Sequence, residues 1–227
     1  MRPVNKNPAA GPFADYDEAH EPLEQRLGKY CSYCERWMPS GMAVEHKRPQ
    51  KRHPAYNLLW TNFLLSCPNC NSGKGSRRIF LRRYFWPDTE NTFRAFVYDD
   101  EGFVRVSKDL PKPLRRTAQR TLQLLGLNRH LGKPRKPAAR DGRWSDRRSA
   151  WQKAELLRQQ LEVHNTQEQR DRIIMMALER GMVSVWLSVF QDHPQIRIRL
   201  LQAFIGTAPD CYDHQNGEFT TRPGGQI

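Results

Sequence analysis

Four cysteines in two short pairs constrain this chain more than any other feature. Cys31 and Cys34 make one Cys-x-x-Cys unit, Cys67 and Cys70 make another, and the chain from Glu35 to Ser66 runs between them. Each unit presents two sulfurs at one turn, and a tetrahedral metal ion can tie the two turns together. Zinc takes such a set of thiolates, and four of them close its coordination sphere. A closed site holds structure and leaves no position for a reacting water. The fifth cysteine, Cys211, stands alone. An odd total does not suit a disulfide framework, so the paired pairs read as ligands of one structural Zn²⁺.

Charge points to the partner. The 227 residues hold 37 Lys and Arg against 24 Asp and Glu, a formal net charge of +13. Neutralising phosphates releases condensed counterions, so a surplus of this size suits a polyanion. The surplus is also segregated. Residues 1–60 are nearly balanced, whereas Ser72–Arg83 carries five positive charges and no acid, and Arg105–Arg147 carries thirteen basic residues against three acidic ones. Lys47, Arg48, Lys74, Arg77 and Arg78 are the expected nucleic-acid contacts. A hydrophobic share of 38% is enough for a core, and no stretch reaches the ~20 apolar residues that span a membrane. The opening Met1–Lys6 has no apolar run behind its charges, so a cytoplasmic protein is expected.

The pattern along the chain predicts an α+β fold. Residues 1–14 read as an irregular N-terminal arm and 15–88 as the zinc-stapled core. Within that core, Asp15–Tyr30 is helical, Met42–His46 a strand, Lys47–Pro54 a polar loop and Trp60–Leu65 an apolar run, with a basic helix from Asn71 through Tyr84. Residues 89–131 form a basic extension: a β-hairpin of Phe93–Tyr98 and Phe103–Val106, then a helix from Pro111 to Leu125 stopped by Gly126. Residues 132–143, rich in Gly, Pro and Lys/Arg, read as a linker. Residues 144–227 look all-helical, and their apolar residues from Ile173 to Phe204 serve either as bundle core or as a partner-docking surface.

Between and just after the cysteine pairs stand Glu45-His46, Asn62, Asn71 and Lys74. Cys31-x-x-Cys34, Val44-Glu45-His46-x-x-Pro49 and Asn62-Phe63-Leu64-Leu65-Ser66-Cys67-x-x-Cys70-Asn71-x-x-Lys74 together resemble the HNH, or ββα-metal, nuclease family. The three signature positions fall on His46, Asn62 and Asn71. The resemblance implies a ββα-metal core on a four-cysteine zinc clamp, with His46 as general base. Glu45 and the Asn71 amide oxygen would hold one Mg²⁺ or Mn²⁺, hard cations that prefer oxygen. Asn62 would fix the loop that orients His46, and Lys74 would contact phosphate. Glu45 stands where the family more often has Asp, and Lys51-Arg52-His53-Pro54 replaces its glycine pair; His53 reads as structural.

The Met-Arg-Pro-Val opening, Tyr30-Cys31-Ser32-Tyr33-Cys34-Glu35 and Cys70-Asn71-Ser72-x-Lys74-Gly75 are similar to PtuB-type HNH nucleases of Septu and retron anti-phage systems. That likeness implies an ATPase partner of the PtuA type, and the family favours DNA over RNA. A zinc-stapled nucleic-acid-binding or adaptor module without catalysis also accounts for the cysteines and the charge, but leaves the Glu45-His46, Asn62 and Asn71 placement to chance. A zinc-dependent hydrolase does not fit, since no His/Glu set with an open zinc position is evident.

Overall fold

A computed structural model describes residues 1–132 and 141–227. Most of the predicted linker, residues 133–140, lies outside the described residues.

Asp15 accepts a hydrogen bond from the Asp17 amide and opens a 3₁₀ turn over Tyr16–Ala19, which α1 (His20–Leu27) continues. The predicted helix over Asp15–Tyr30 is therefore shorter and starts in a tighter coil. Gly28 ends it at φ +70°, a conformation that costs other residues strain. The inner face of α1 buries Leu23 and Leu27.

Strands β1 (Ala43–His46) and β2 (Phe63–Ser66) pair antiparallel, with Glu45 opposite Leu64 and His46 opposite Phe63. All four residues of β2 are buried. Helix α2 (Pro68–Lys74) follows at once, with Pro68 in its first turn, where a missing N–H leaves nothing unsatisfied. The basic helix expected through Tyr84 is not formed. Gly75 stops α2 at φ +60°, and only a 3₁₀ turn over Leu81–Arg83 follows. A continued helix would also set Arg78 and Arg82 one turn apart on the same face, where like charges repel.

The hairpin is shorter than predicted, with β3 (Phe96–Tyr98) paired to β4 (Val104–Val106). Phe93–Ala95 lies in turns, although the Ala95 carbonyl still accepts from the Ser107 amide at 2.9 Å. Helix α3 (Lys112–Leu125) ends at Gly126 as expected. Among the described residues four helices follow: α4 (Arg143–Val163), α5 (Gln167–Arg180), α6 (Val183–Val189) and α7 (Pro194–Ala203).

Two large apolar clusters organise these elements, beside a small third of Ala150, Met182 and Val185. One gathers Leu23, Leu27, Val44, Phe63, Leu65, Leu122 and Leu125 around the ββα unit. The other is the helical bundle, with Ala154, Leu157, Leu161, Ile173, Trp186, Phe190 and Leu200. Most of the apolar residues between Ile173 and Phe204 are thus core, and Met175, 54% exposed, is the exception. Residues 1–14 form no helix or strand, and the first four are buried. Arg2 donates to the Leu27 and Phe204 carbonyls at 2.8 and 3.0 Å, and Lys6 donates to those of Trp60 and Phe63 at 2.8 and 2.6 Å. Glu35 reaches across the clusters to accept from the Ser184 amide at 2.8 Å. Gly181 lies so close to the Glu35 carbonyl that a Cβ would come within 2.3 Å of it.

Candidate active site

The two cysteine pairs converge. Cys31 and Cys34 sit in a tight turn closed by the Glu35 amide donating to the Cys31 carbonyl at 2.9 Å. Cys67 caps α2 and Cys70 falls in its first turn. All four sulfurs are buried and lie within 4.8 Å of one another, Cys34 and Cys67 at 3.6 Å. A Zn–S bond of about 2.3 Å sets tetrahedral sulfurs about 3.8 Å apart, so four thiolates in this arrangement fit a structural zinc.

Sequence reasoning missed a residue against this centre. Arg143 at the start of α4 donates to Cys70 Sγ at 3.1 Å and to the Leu125 carbonyl at 2.9 Å. Asp141 holds it with two contacts of 2.8 Å. Burial works against the guanidinium's charge, but the Asp141 hydrogen bond and the Cys70 charge outweigh burial and raise its pKa. Four thiolates around one Zn²⁺ leave a net negative centre, and a buried cation compensates it. A basic residue at the edge of a basic linker carries no local mark of this role.

The ββα unit presents the other predicted residues. Glu45, His46, Asn71 and Lys74 line one open cleft of about 340 Å³, with Tyr16 and Asp17 at its side. The His46 ring stands edge-on between Tyr16 and Phe63, with centroids at 5.1 and 5.0 Å. Its Nε2 lies 3.0 Å from the Asn57 carbonyl. A carbonyl only accepts, so Nε2 carries the hydrogen and Nδ1 is the basic nitrogen. Burial lowers the imidazole pKa, against the opposing pull of the Asn57 carbonyl and the Asp17 charge.

Asn62 is buried and fully engaged. Its Oδ1 accepts from the Arg48 amide at 2.8 Å, and its Nδ2 donates to the Arg48 and Tyr56 carbonyls at 3.1 and 3.0 Å. These bonds pin both ends of the segment 48–56, and the next residue, Asn57, holds His46. Asn71, half-buried on α2, faces the same cleft.

Two of the expected phosphate contacts are turned inward. Lys47 is buried and pairs with Asp88 at 2.6 Å, beside Lys6 at 3.1 Å from the same oxygen. Lys74, 1% exposed, lies 3.0 Å from Glu45 Oε1, off the axis of a hydrogen bond. Burial, and then the nearby Arg77 charge, bring the Lys74 ammonium down to about 8. Both lysines pair in charge with buried carboxylates, which cannot be left alone in a low-dielectric interior, and Lys47 also donates a hydrogen bond to Asp88. Arg77 and Arg78 are exposed, and Arg48 is half-exposed with its guanidinium 4.1 Å from the Tyr56 ring centroid. Cys211 is a core thiol pushed up to about 12 by burial, and it is not among the four clustered cysteines.

Residues 30–77, less than half of the chain, match the family model described as HNH endonuclease. This segment is an HNH domain. The match spans both cysteine pairs, Glu45-His46, Asn62 and Asn71, and it supports a nuclease-type function acting on nucleic acid. No curated protein matches the chain. Among the described residues no helix is long and apolar enough to cross a membrane.

Proposed function

We propose that the chain is a metal-dependent endonuclease that hydrolyses phosphodiester bonds, DNA in preference to RNA, with His46 as general base. The observation that carries this is the tie between His46 Nε2 and the Asn57 carbonyl, which leaves Nδ1 basic in a cleft shared with Glu45 and Asn71. His46 Nδ1 removes a proton from a water aligned with the scissile phosphorus, a step worth about 10²–10⁴-fold in rate. Asn62 keeps the imidazole in place through the segment it pins. Glu45 and Asn71 supply oxygen ligands for Mg²⁺ or Mn²⁺, which would neutralise charge on the phosphate when bound. The exposed Arg77 and Arg78, with Arg48, hold the strand by its phosphates. Likeness to PtuB-type proteins extends the reading to an effector of anti-phage defence working in the cytoplasm with a PtuA-type ATPase.

A second reading has its own observation. Lys74 occupies the Glu45 carboxylate that a divalent ion would need, as it would in a zinc-stapled binding module without catalysis. Plasmid cleavage with and without Mg²⁺ or Mn²⁺ separates the two, with wild type and His46→Ala compared alone and with the ATPase. The nuclease reading expects metal-dependent cutting by wild type and none by His46→Ala, with zinc content and melting temperature kept. Binding without cutting under every condition would instead establish the module.

A further inference from the structure

The segment that Asn62 ties down has two sides. Pro49, Gln50 and Lys51 border the cleft of His46, whereas Arg48, His53 and Tyr56 border a second hollow of about 440 Å³. Phe80 and Arg82 complete its walls, over an apolar floor that includes buried Ile79. No acidic residue lines it. Phe80 is 45% exposed, and the guanidinium carbons of Arg78 and Arg83 stand 5.3 and 5.1 Å from its ring centroid. His53 Nε2 is buried here and makes no hydrogen bond.

The lining selects the ligand. Two aromatic rings offer π faces, and the arginines around them offer charge to phosphates. A nucleobase has flat apolar faces, a hydrogen-bonding edge and a phosphate on either side. Stacking on aromatic residues within a basic groove is how unpaired bases are held. A paired base hides its faces between its neighbours, so only an unstacked one can enter. We propose that this hollow is a stacking subsite for one unpaired nucleotide next to the phosphate being cut, and that the substrate is nucleic acid with unpaired bases. The placement of that nucleotide beside the scissile phosphate rests on the nuclease reading; the subsite itself does not.

The test measures binding apart from cutting. The full-length zinc-loaded protein carrying His46→Ala is titrated, in Mg²⁺, with a labelled oligo-dT and with a labelled blunt duplex of the same length. Phe80→Leu, which keeps the apolar cover over Ile79 but removes the π face, should weaken oligo-dT binding by about ten-fold, the scale of one lost base stack. It should leave duplex binding unchanged, and Phe80→Trp should retain oligo-dT affinity. Equal losses on both probes, or no loss on oligo-dT, would overturn the subsite. Selective loss by Phe80→Leu in a protein whose wild type cuts nothing would keep the subsite and remove the nuclease reading. Metal-dependent cutting with no effect of Phe80→Leu would do the reverse.

Discussion

His46 owes its chemistry to neighbours on three different segments. Tyr16 and Phe63 enclose the ring, and Asn57 fixes which nitrogen carries the hydrogen. Because burial lowers the imidazole pKa, the neutral, basic form persists to lower pH than in a free histidine. Cutting should therefore hold through neutral pH and fall only as pH drops below the ordinary histidine range, since protonation removes the base. A pH–rate profile measured under single turnover checks this, and a midpoint above that range would contradict it. Asn62→Ala should lower the cutting rate by roughly 10–100-fold, the scale seen when a supporting residue is removed. It also leaves the part-buried Arg48 amide and carbonyl without their Asn62 partner and the Tyr56 carbonyl with only the Leu59 amide, so a stability loss of about 1–3 kcal/mol is expected in denaturant titration. The motif positions at 46, 62 and 71 are legible because they sit at characteristic spacings in one short segment. Lys47 and Lys74 are not, since a lysine in a basic run has the same letter whether it faces phosphate or a buried carboxylate.

The ββα unit is too small to hold itself, with strands of four residues and a helix of seven. The cysteines clamp the turn at Cys31–Cys34 to the start of α2, and thereby set Asn71 opposite β1. Cys67→Ser should release zinc and lower the melting temperature, because metal binding and folding are one equilibrium in such sites. Arg143→Met is the more discriminating change. It keeps the volume but removes the cation beside Cys70, so zinc affinity should fall by about 10–100-fold in a chelator competition. Unchanged affinity would mean that the contact is incidental. Helix types and most boundaries are readable from periodicity and from stops such as Gly28, Gly126 and Gly181. The basic segment after Gly75 misleads the same reasoning, because its apolar residues suggest a face that like-charge crowding and the glycine break prevent.

The formal charge of +13 is concentrated in a few segments of a molecule whose two larger apolar clusters meet through the N-terminal residues, Glu35 and Arg143. Binding to nucleic acid should weaken steeply with salt, and replacing both Arg77 and Arg78 with alanine should lower the log–log salt slope by about one for each arginine. A slope that does not change would place the strand on another face. The cysteine pairs, the H-N-N spacing, the charge segregation and the helices of the C-terminal part up to Ala203 are properties of short windows, so composition and spacing suffice to read them. The Asn57 tie on His46, the Arg143 contact with the zinc ligands, the inward turn of Lys47 and Lys74 and the hollow beside Phe80 all join residues distant along the chain. Those pairings arise when buried charges must be matched and backbone groups satisfied, and that matching is settled by packing in three dimensions, to which no local pattern of residues gives access.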